Sequence, residues 1–243
     1  MNQPIHNDYW LSRFESILNS ALVQHRAVSL IRVDLRFPEY MPATIMDPDP
    51  DSAVISRFFE SLKAKIQAYQ RKKRCANQRV HATSLGYFWC REFGKMYGRK
   101  HYHVILLLNK DTWCSLGDFT VSSSLATLIQ EAWCSALRIE PWLGDGLVHF
   151  SRWTPSRKPT SPAAPPSSDD TPLPSGCSDT RKASDKKSGG SAVLWVTRGD
   201  KEAVQKALER ARYLVKNETK LHNGSGQRNY GCSRGPGRLL DGR

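Results

Sequence analysis

The residues best suited to chemistry fall in three short stretches. His101-Tyr102-His103 sets two imidazoles two positions apart. In an extended strand, such residues point to one face and can hold a single metal ion. A chain with seven histidines contains a His-x-His by chance in roughly one case in five, so the pair means little without a third ligand. Glu92 lies nine residues before His101, at the end of a β-rich segment. A hairpin register that places Glu92 opposite His101 or His103 adds its carboxylate to their face. A register one residue different sends it to the other face, as a solvated strand-end carboxylate. Two imidazoles and one carboxylate with open positions suit a catalytic divalent cation, Mn²⁺ or Mg²⁺, with imidazole favouring Mn²⁺. His81 and His149 are the fallback third ligands.

The third stretch is Tyr213-Leu214-Val215-Lys216. On a helix, residues three apart share a face, so Lys216 stands beside the phenol. A phenol is a weak nucleophile near neutral pH and needs a cation to stabilise its anion or to hold the group it attacks. Tyr213 and Lys216 are therefore the candidate catalytic pair. The alternative is a tyrosine half-buried at a helix end.

Positioning these groups requires a sheet and at least one helix. Apolar spacing predicts helices over 9–24, 53–76, 121–137 and 199–216. On the last, Val204, Ala207, Leu208 and Ala211 form the inner face. Alternation predicts a strand over 29–37, stopped by Pro38, followed by a Pro/Asp-rich loop over 38–51. Residues 79–92 and 101–108 read as a hairpin turning at Gly94 and Gly98. The second strand is apolar on both faces in its far half, as a mid-sheet strand covered on both sides would be. Residues 146–151 and 192–197 read as further strands. Residues 154–190 carry Pro, Ser, Asp, Lys and Gly with almost no large apolar side chain, so a disordered insertion is expected there. The division that follows is 1–153 as the first part of one domain, 154–190 as the insertion, 191–220 as the strand and tyrosine helix that complete the domain, and 221–243 as a flexible Gly/Arg-rich tail.

The formal net charge is +13, a field that favours polyanions, nucleic acid first. Arg71-Lys72-Lys73-Arg74, with Arg91 and Lys220, are the candidate DNA contacts; simple solubility explains the basic run about as well. The six cysteines are scattered without a Cys-x-x-Cys pair and read as free thiols. No apolar run approaches the roughly 20 residues of a membrane span, and the opening residues do not resemble a secretory leader. A cytoplasmic protein with no membrane contact is expected.

The order Glu92, His101-Tyr102-His103, Tyr213-x-x-Lys216 resembles that of the HUH endonucleases, in which a bulky apolar residue separates the two histidines. With Asn109-Lys110, Leu116-Gly117-Asp118-Phe119, Gly146-Leu147-Val148-His149-Phe150, Thr219-Lys220 and Gly231-Cys232-Ser233-Arg234, the chain is similar to the YagK/YfjJ C-terminal domain family, described as inovirus-type gene-two replication proteins of filamentous phages and prophages. The likeness covers most of the chain outside 154–190. It implies an α+β fold with a central, mostly antiparallel five-stranded sheet flanked by helices and the histidines on a central strand. It also implies a rolling-circle replication initiator that nicks and rejoins single-stranded or hairpin DNA through a 5′-phosphotyrosine, with His101 and His103 as ligands, Tyr213 as nucleophile and Lys216 as its helper. Some phage initiators carry two tyrosines on one helix; here the next tyrosine, Tyr230, falls beyond it. No Gly-x-x-x-x-Gly-Lys-Ser/Thr loop is present, so a host helicase and a host polymerase are the expected partners. Two competing functions are a non-catalytic DNA-binding regulator or origin-binding protein on the same fold, and an RNA-binding module that stacks bases on Phe88 and Trp89.

Overall fold

The computed structural model describes residues 7–39, 50–94, 99–151, 192–215 and 228–234. The elements run α1 (Asp8–Gln24), β1 (Ala27–Arg36), α2 (Pro50–Cys75), β2 (Gly86–Phe93), β3 (Lys100–Asn109), α3 (Leu125–Leu137), β4 (Val148–Phe150), β5 (Val193–Thr197), α4 (Lys201–Leu214) and β6 (Tyr230–Cys232). The class is α+β with an antiparallel sheet, as the family resemblance implies. The sheet holds six strands in five positions, because β4 and β5 share one edge of β1 end to end. β4 pairs with residues 33–35 of β1 and β5 with residues 27–31. Across the sheet the order continues β1, β3, β2, β6, which makes β3 the central strand.

Side-chain alternation splits the core in two. Tyr102, Val104, Leu106 and Leu108 of β3 face α2 and α3, with Ile31, Val33 and Leu35 of β1. Ile105 and Leu107 face α1 and α4, with Val28 and Leu30. Residues 104 to 108 are at most 1% exposed, which accounts for the doubly apolar half of the strand. Beyond that half, the α1/α4 face of β3 carries His103 and His101.

Local signals set the helix ends. Asn7 accepts a hydrogen bond from the Trp10 amide, Ser124 from Thr127 and Asp200 from Ala203, each satisfying a first-turn donor. The helix expected from 121 therefore starts at Leu125, behind its Ser124 cap. The strand expected from 79 starts only at Gly86. The carbonyls before it are taken by side chains instead: His81 by Gln70 and Thr112, Ala82 by Asn109. The flexible tail expected from 221 does not hold at 228–234. There Tyr230–Cys232 adds a strand to β2, and Gly231 is required because a Cβ would stand 2.6 Å from the Trp89 ring. The expected insertion at 154–190 lies outside the described residues, as do Lys216 and Lys220.

Trp133 joins the α2/α3 layer to the end of the sheet that bears the histidines. It is fully buried, packs edge-on against Phe37, Phe58 and Tyr102, and donates its indole N–H to the Arg36 carbonyl at 2.7 Å. Trp133→Ala should cost about 3–5 kcal/mol, from the cavity and the orphaned carbonyl together. Chemical denaturation checks this, and a loss below about 1 kcal/mol would show that Trp133 does not anchor this end of the sheet.

Candidate metal centre

The strand registers place every ligand on one face. Glu92 is directly opposite His101 across the β2–β3 pair, and Asp34 is directly opposite His103 across the β1–β3 pair. The first of these is the register that the carboxylate required to join the imidazoles. Tyr102, between the two histidines, is 1% exposed and wedged against Trp89 and Phe37 on the other face. The bulky middle residue thus locks the strand so that both imidazoles project from the α1/α4 face.

His101 Nε2 lies 3.2 Å from His103 Nε2, and His103 Nε2 lies 3.2 Å from Glu92 Oε2. One ligand atom from each of the three side chains lies within 4.8 Å of the others. Ligands at bond lengths of about 2.1 Å stand roughly 3.0–3.4 Å apart around a shared ion, so the two short separations match a coordination edge. On its other side, His103 Nδ1 is 2.5 Å from Asp34 Oδ1, and Asp34 Oδ2 accepts from Ser151 Oγ at 2.7 Å. A carboxylate on the far ring nitrogen fixes the tautomer and turns the Nε2 lone pair toward the ion. That lone pair then faces a second imidazole nitrogen and a carboxylate oxygen, an arrangement that only a proton or a cation can make favourable. The donor set therefore fits a divalent metal ion.

The charge states agree. Burial opposes a charge on His103, but hydrogen bonds to Asp34 and Glu92 outweigh burial and raise its pKa. Burial and the neighbouring His103 lower that of His101. Burial would raise the Asp34 carboxyl, but the His103 hydrogen bond and charge, with Arg32 and Ser151, hold it well below the usual range. Without metal, the two carboxylates favour a proton on each His103 nitrogen, and a bound ion would take the place of the Nε2 proton.

Tyr213 lies on the same side of the sheet. It is in the last turn of α4, whose Ala203, Ala207, Ala211 and Leu214 are buried against the α1/α4 face while the Tyr213 ring is 57% exposed. Val204 and Leu208, expected inward, are only partly buried. The Arg32 guanidinium spans the gap: it is 5.6 Å from the Tyr213 ring centre, and its Nη2 is 3.5 Å from His103 Nδ1.

Asp34, Ser151 and Arg32 were not singled out from the sequence. A signal was present in Arg32-Val33-Asp34, where two charges interrupt a strand that the fold covers on both faces. The other candidates are dispersed. His149 is exposed, opposite Asp34 and one strand further out. His81 sits in the connection between α2 and β2. Neither belongs to the convergent set. Lys72, Lys73 and Arg74 are in the last turn of α2, after Arg71, on the layer against the opposite face of the sheet. Arg91, expected on DNA, is 3% exposed and donates to Asn229 Oδ1 at 3.0 Å. Phe88 is fully buried against Phe14, and Trp89 is covered by Gly231, so neither is a base-stacking platform. The described cysteines, 75, 90, 114, 134 and 232, form no disulfide among the described residues. Among the described residues, no helix is long and apolar enough to cross a membrane.

The model of the YagK/YfjJ C-terminal domain family matches residues 1–155. The chain is 30% identical over 233 residues to the uncharacterized protein YagK of Escherichia coli K12, covering 94% of each. It is 31% identical over 241 residues to the uncharacterized protein YfjJ of the same organism, covering 95% of this chain and 96% of that one. No solved structure matches.

Asp34→Asn should weaken Mn²⁺ binding by about 10–100-fold while His101 and His103 stay in place, measured by calorimetric titration. An unchanged affinity would remove Asp34 from the centre. In the metal-free protein, NMR titration should find His103 above and His101 below the ordinary imidazole value of about 6.5. By linkage, the His103 interaction stabilises the metal-free fold fully below that value and is lost as pH rises through the raised folded one. The Asp34 contribution is present above about pH 3.9 and is lost as pH falls. Two histidines titrating together at the ordinary value would contradict this geometry.

Proposed function

Since the chain belongs to the YagK/YfjJ C-terminal domain family, and its centre pairs a metal-ligand triad with a tyrosine, we propose that it is a rolling-circle replication initiator of the HUH endonuclease type. It nicks and rejoins one DNA strand through a 5′-phosphotyrosine. The observation that carries this reading is the placement of Tyr213 on the metal face, with Arg32 in contact with both its ring and His103.

Glu92, His101 and His103 would hold Mn²⁺ or Mg²⁺. Such an ion supplies Lewis-acid polarisation of a non-bridging phosphate oxygen. Asp34 and Ser151 keep His103 oriented as a ligand. Arg32 provides a fixed positive charge next to Tyr213, where the phenol must become an anion or meet an anionic phosphate. The Tyr213 oxygen attacks phosphorus, the bond from phosphorus to the 3′-oxygen breaks, the phenol proton leaves to solvent and the departing 3′-oxygen takes one up. The new phosphotyrosine ester conserves the phosphodiester energy, so the reverse attack by a 3′-OH rejoins the strand without a nucleotide cofactor. The free 3′-OH is a primer for a host polymerase, and a host helicase opens the duplex ahead. The +13 net charge supports a nucleic-acid partner with salt-dependent affinity.

The test is incubation with Mn²⁺ and labelled single-stranded DNA carrying the element's own origin region, followed by denaturing electrophoresis. Wild-type protein should give a covalent adduct. Tyr213→Phe should reduce it by at least about 10³-fold, as expected for loss of the nucleophile, with DNA binding nearly unchanged. An adduct that persists in Tyr213→Phe excludes this nucleophile. Binding without any nick by the wild type would favour a DNA-binding regulator.

A further inference from the structure

A pocket of about 300 Å³ opens beside the candidate metal centre; Arg36 lines it, and neither Arg32 nor Tyr213 does. His101, His103 and the Asp34 carboxylate lie along it, and Arg36, Arg99 and Lys100 add three cations. Its volume is at the low end of small-molecule sites, enough for one nucleotide unit rather than a stretch of strand. It is strongly basic. Lys100 lies over the Phe37 ring at 4.6 Å, and Arg99 pairs with Glu39. Arg36 is exposed, directly opposite His101, and its guanidinium makes no hydrogen bond or ion pair among the described residues.

The pocket and the tyrosine flank the centre from opposite ends. Arg32, against Tyr213, and Arg36, in the pocket, lie on the same face of β1, four residues and so roughly 13 Å apart. Asp34 and its partner His103 fall between them. Phosphoryl transfer requires the attacking and leaving oxygens to be nearly in line through phosphorus. A phosphate held at the centre and attacked from the Arg32 end must therefore expel its leaving group toward the Arg36 end.

We infer that this pocket receives the nucleoside on the leaving-group side of the scissile phosphate, the one that departs with the free 3′-oxygen, and that Arg36 holds it. The inference rests on the tyrosine-transfer reading for its polarity, but its test needs no cleavage. Full-length protein with saturating Mn²⁺ is titrated calorimetrically with thymidine 3′-monophosphate and, separately, thymidine 5′-monophosphate. With its phosphate at the centre, the first places its nucleoside on the leaving-group side, and the second carries its nucleoside on the 5′-oxygen, which stays with the tyrosine and lies off the in-line axis. The 3′-nucleotide should bind more tightly. Arg36→Ala should weaken it by about tenfold, the scale of one charge-assisted hydrogen bond, and leave the 5′-nucleotide within about twofold. Arg36→Lys should recover part of the loss. Thermal melts and Mn²⁺ affinity should match wild type, since the Arg36 side chain is exposed. Equal affinity for the two nucleotides, equal losses in Arg36→Ala, or no binding of either overturns the inference. Failure of the wild type to form a DNA adduct is a separate result, and it overturns the nicking reading without touching these titrations.

Discussion

The pairing register of β3 governs the centre. A slip of one residue against either neighbour would turn His101 and His103 into the α2/α3 core and push Tyr102 out on the other face. The strand resists that slip through its apolar half: Val104 to Leu108 fill both cores with almost no exposed surface. At roughly 1.5–3 kcal/mol for each large side chain buried, exposing or misplacing even two of them costs more than an ordinary surface contact returns. Tyr102 adds a lock at the histidine-bearing end, where Trp89, Phe37 and Trp133 pack around it. The imidazoles are aimed by hydrophobic packing on the opposite face of their own strand, with no need for a dedicated loop.

The tyrosine reaches the centre by a different route. Tyr213 is more than a hundred residues from the histidines in sequence, and β5 brings its helix back by pairing with β1. Arg198, between β5 and α4, donates to the carbonyls of Leu22 and Val23 at the end of α1. Those are last-turn carbonyls that would otherwise lack a partner. The Val215 carbonyl accepts from the Asn7 amide at the start of α1. Helix α4 is thus tied to α1 at both ends, and its alanine face lies close against the sheet. This leaves little freedom to rotate Tyr213 away from Arg32.

The helices, most strands and the histidine pair are legible because each has a short-range signature: apolar spacing, alternation, capping residues, and a His-x-His that alternation aims. The Glu92 register was legible only as a condition. The carboxylate that orients His103 was not, because Asp34 belongs to a strand 69 residues away and nothing local marks the pairing of Asp34 with His103. Two further differences have the same origin. The charge of Arg91 suits a DNA contact, whereas the sheet turns it inward to Asn229. The glycine content around Tyr230 suits a flexible tail, whereas edge pairing with β2 makes it a strand, and the glycine is there to clear an indole. Charge and glycine content are properties of residues. Burial and pairing are properties of the assembled sheet.

The charge balance at the centre bears on how it would discriminate its states. With His103 protonated, the state its two carboxylate neighbours favour, Asp34, Glu92, His103 and Arg32 are together neutral in the absence of metal. Exchange of the His103 Nε2 proton for a divalent ion leaves the same cluster one unit positive. The side chains of Asp34, His103 and Glu92 are only 12–14% exposed, where screening by solvent is weak and a unit of charge acts strongly over a few ångströms. A phosphate would thus meet a neutral cluster while His103 is protonated and a positive one once the ion is bound. The net charge of the whole chain attracts any polyanion at any time; this local change would make engagement of a phosphate at the tyrosine conditional on the ion.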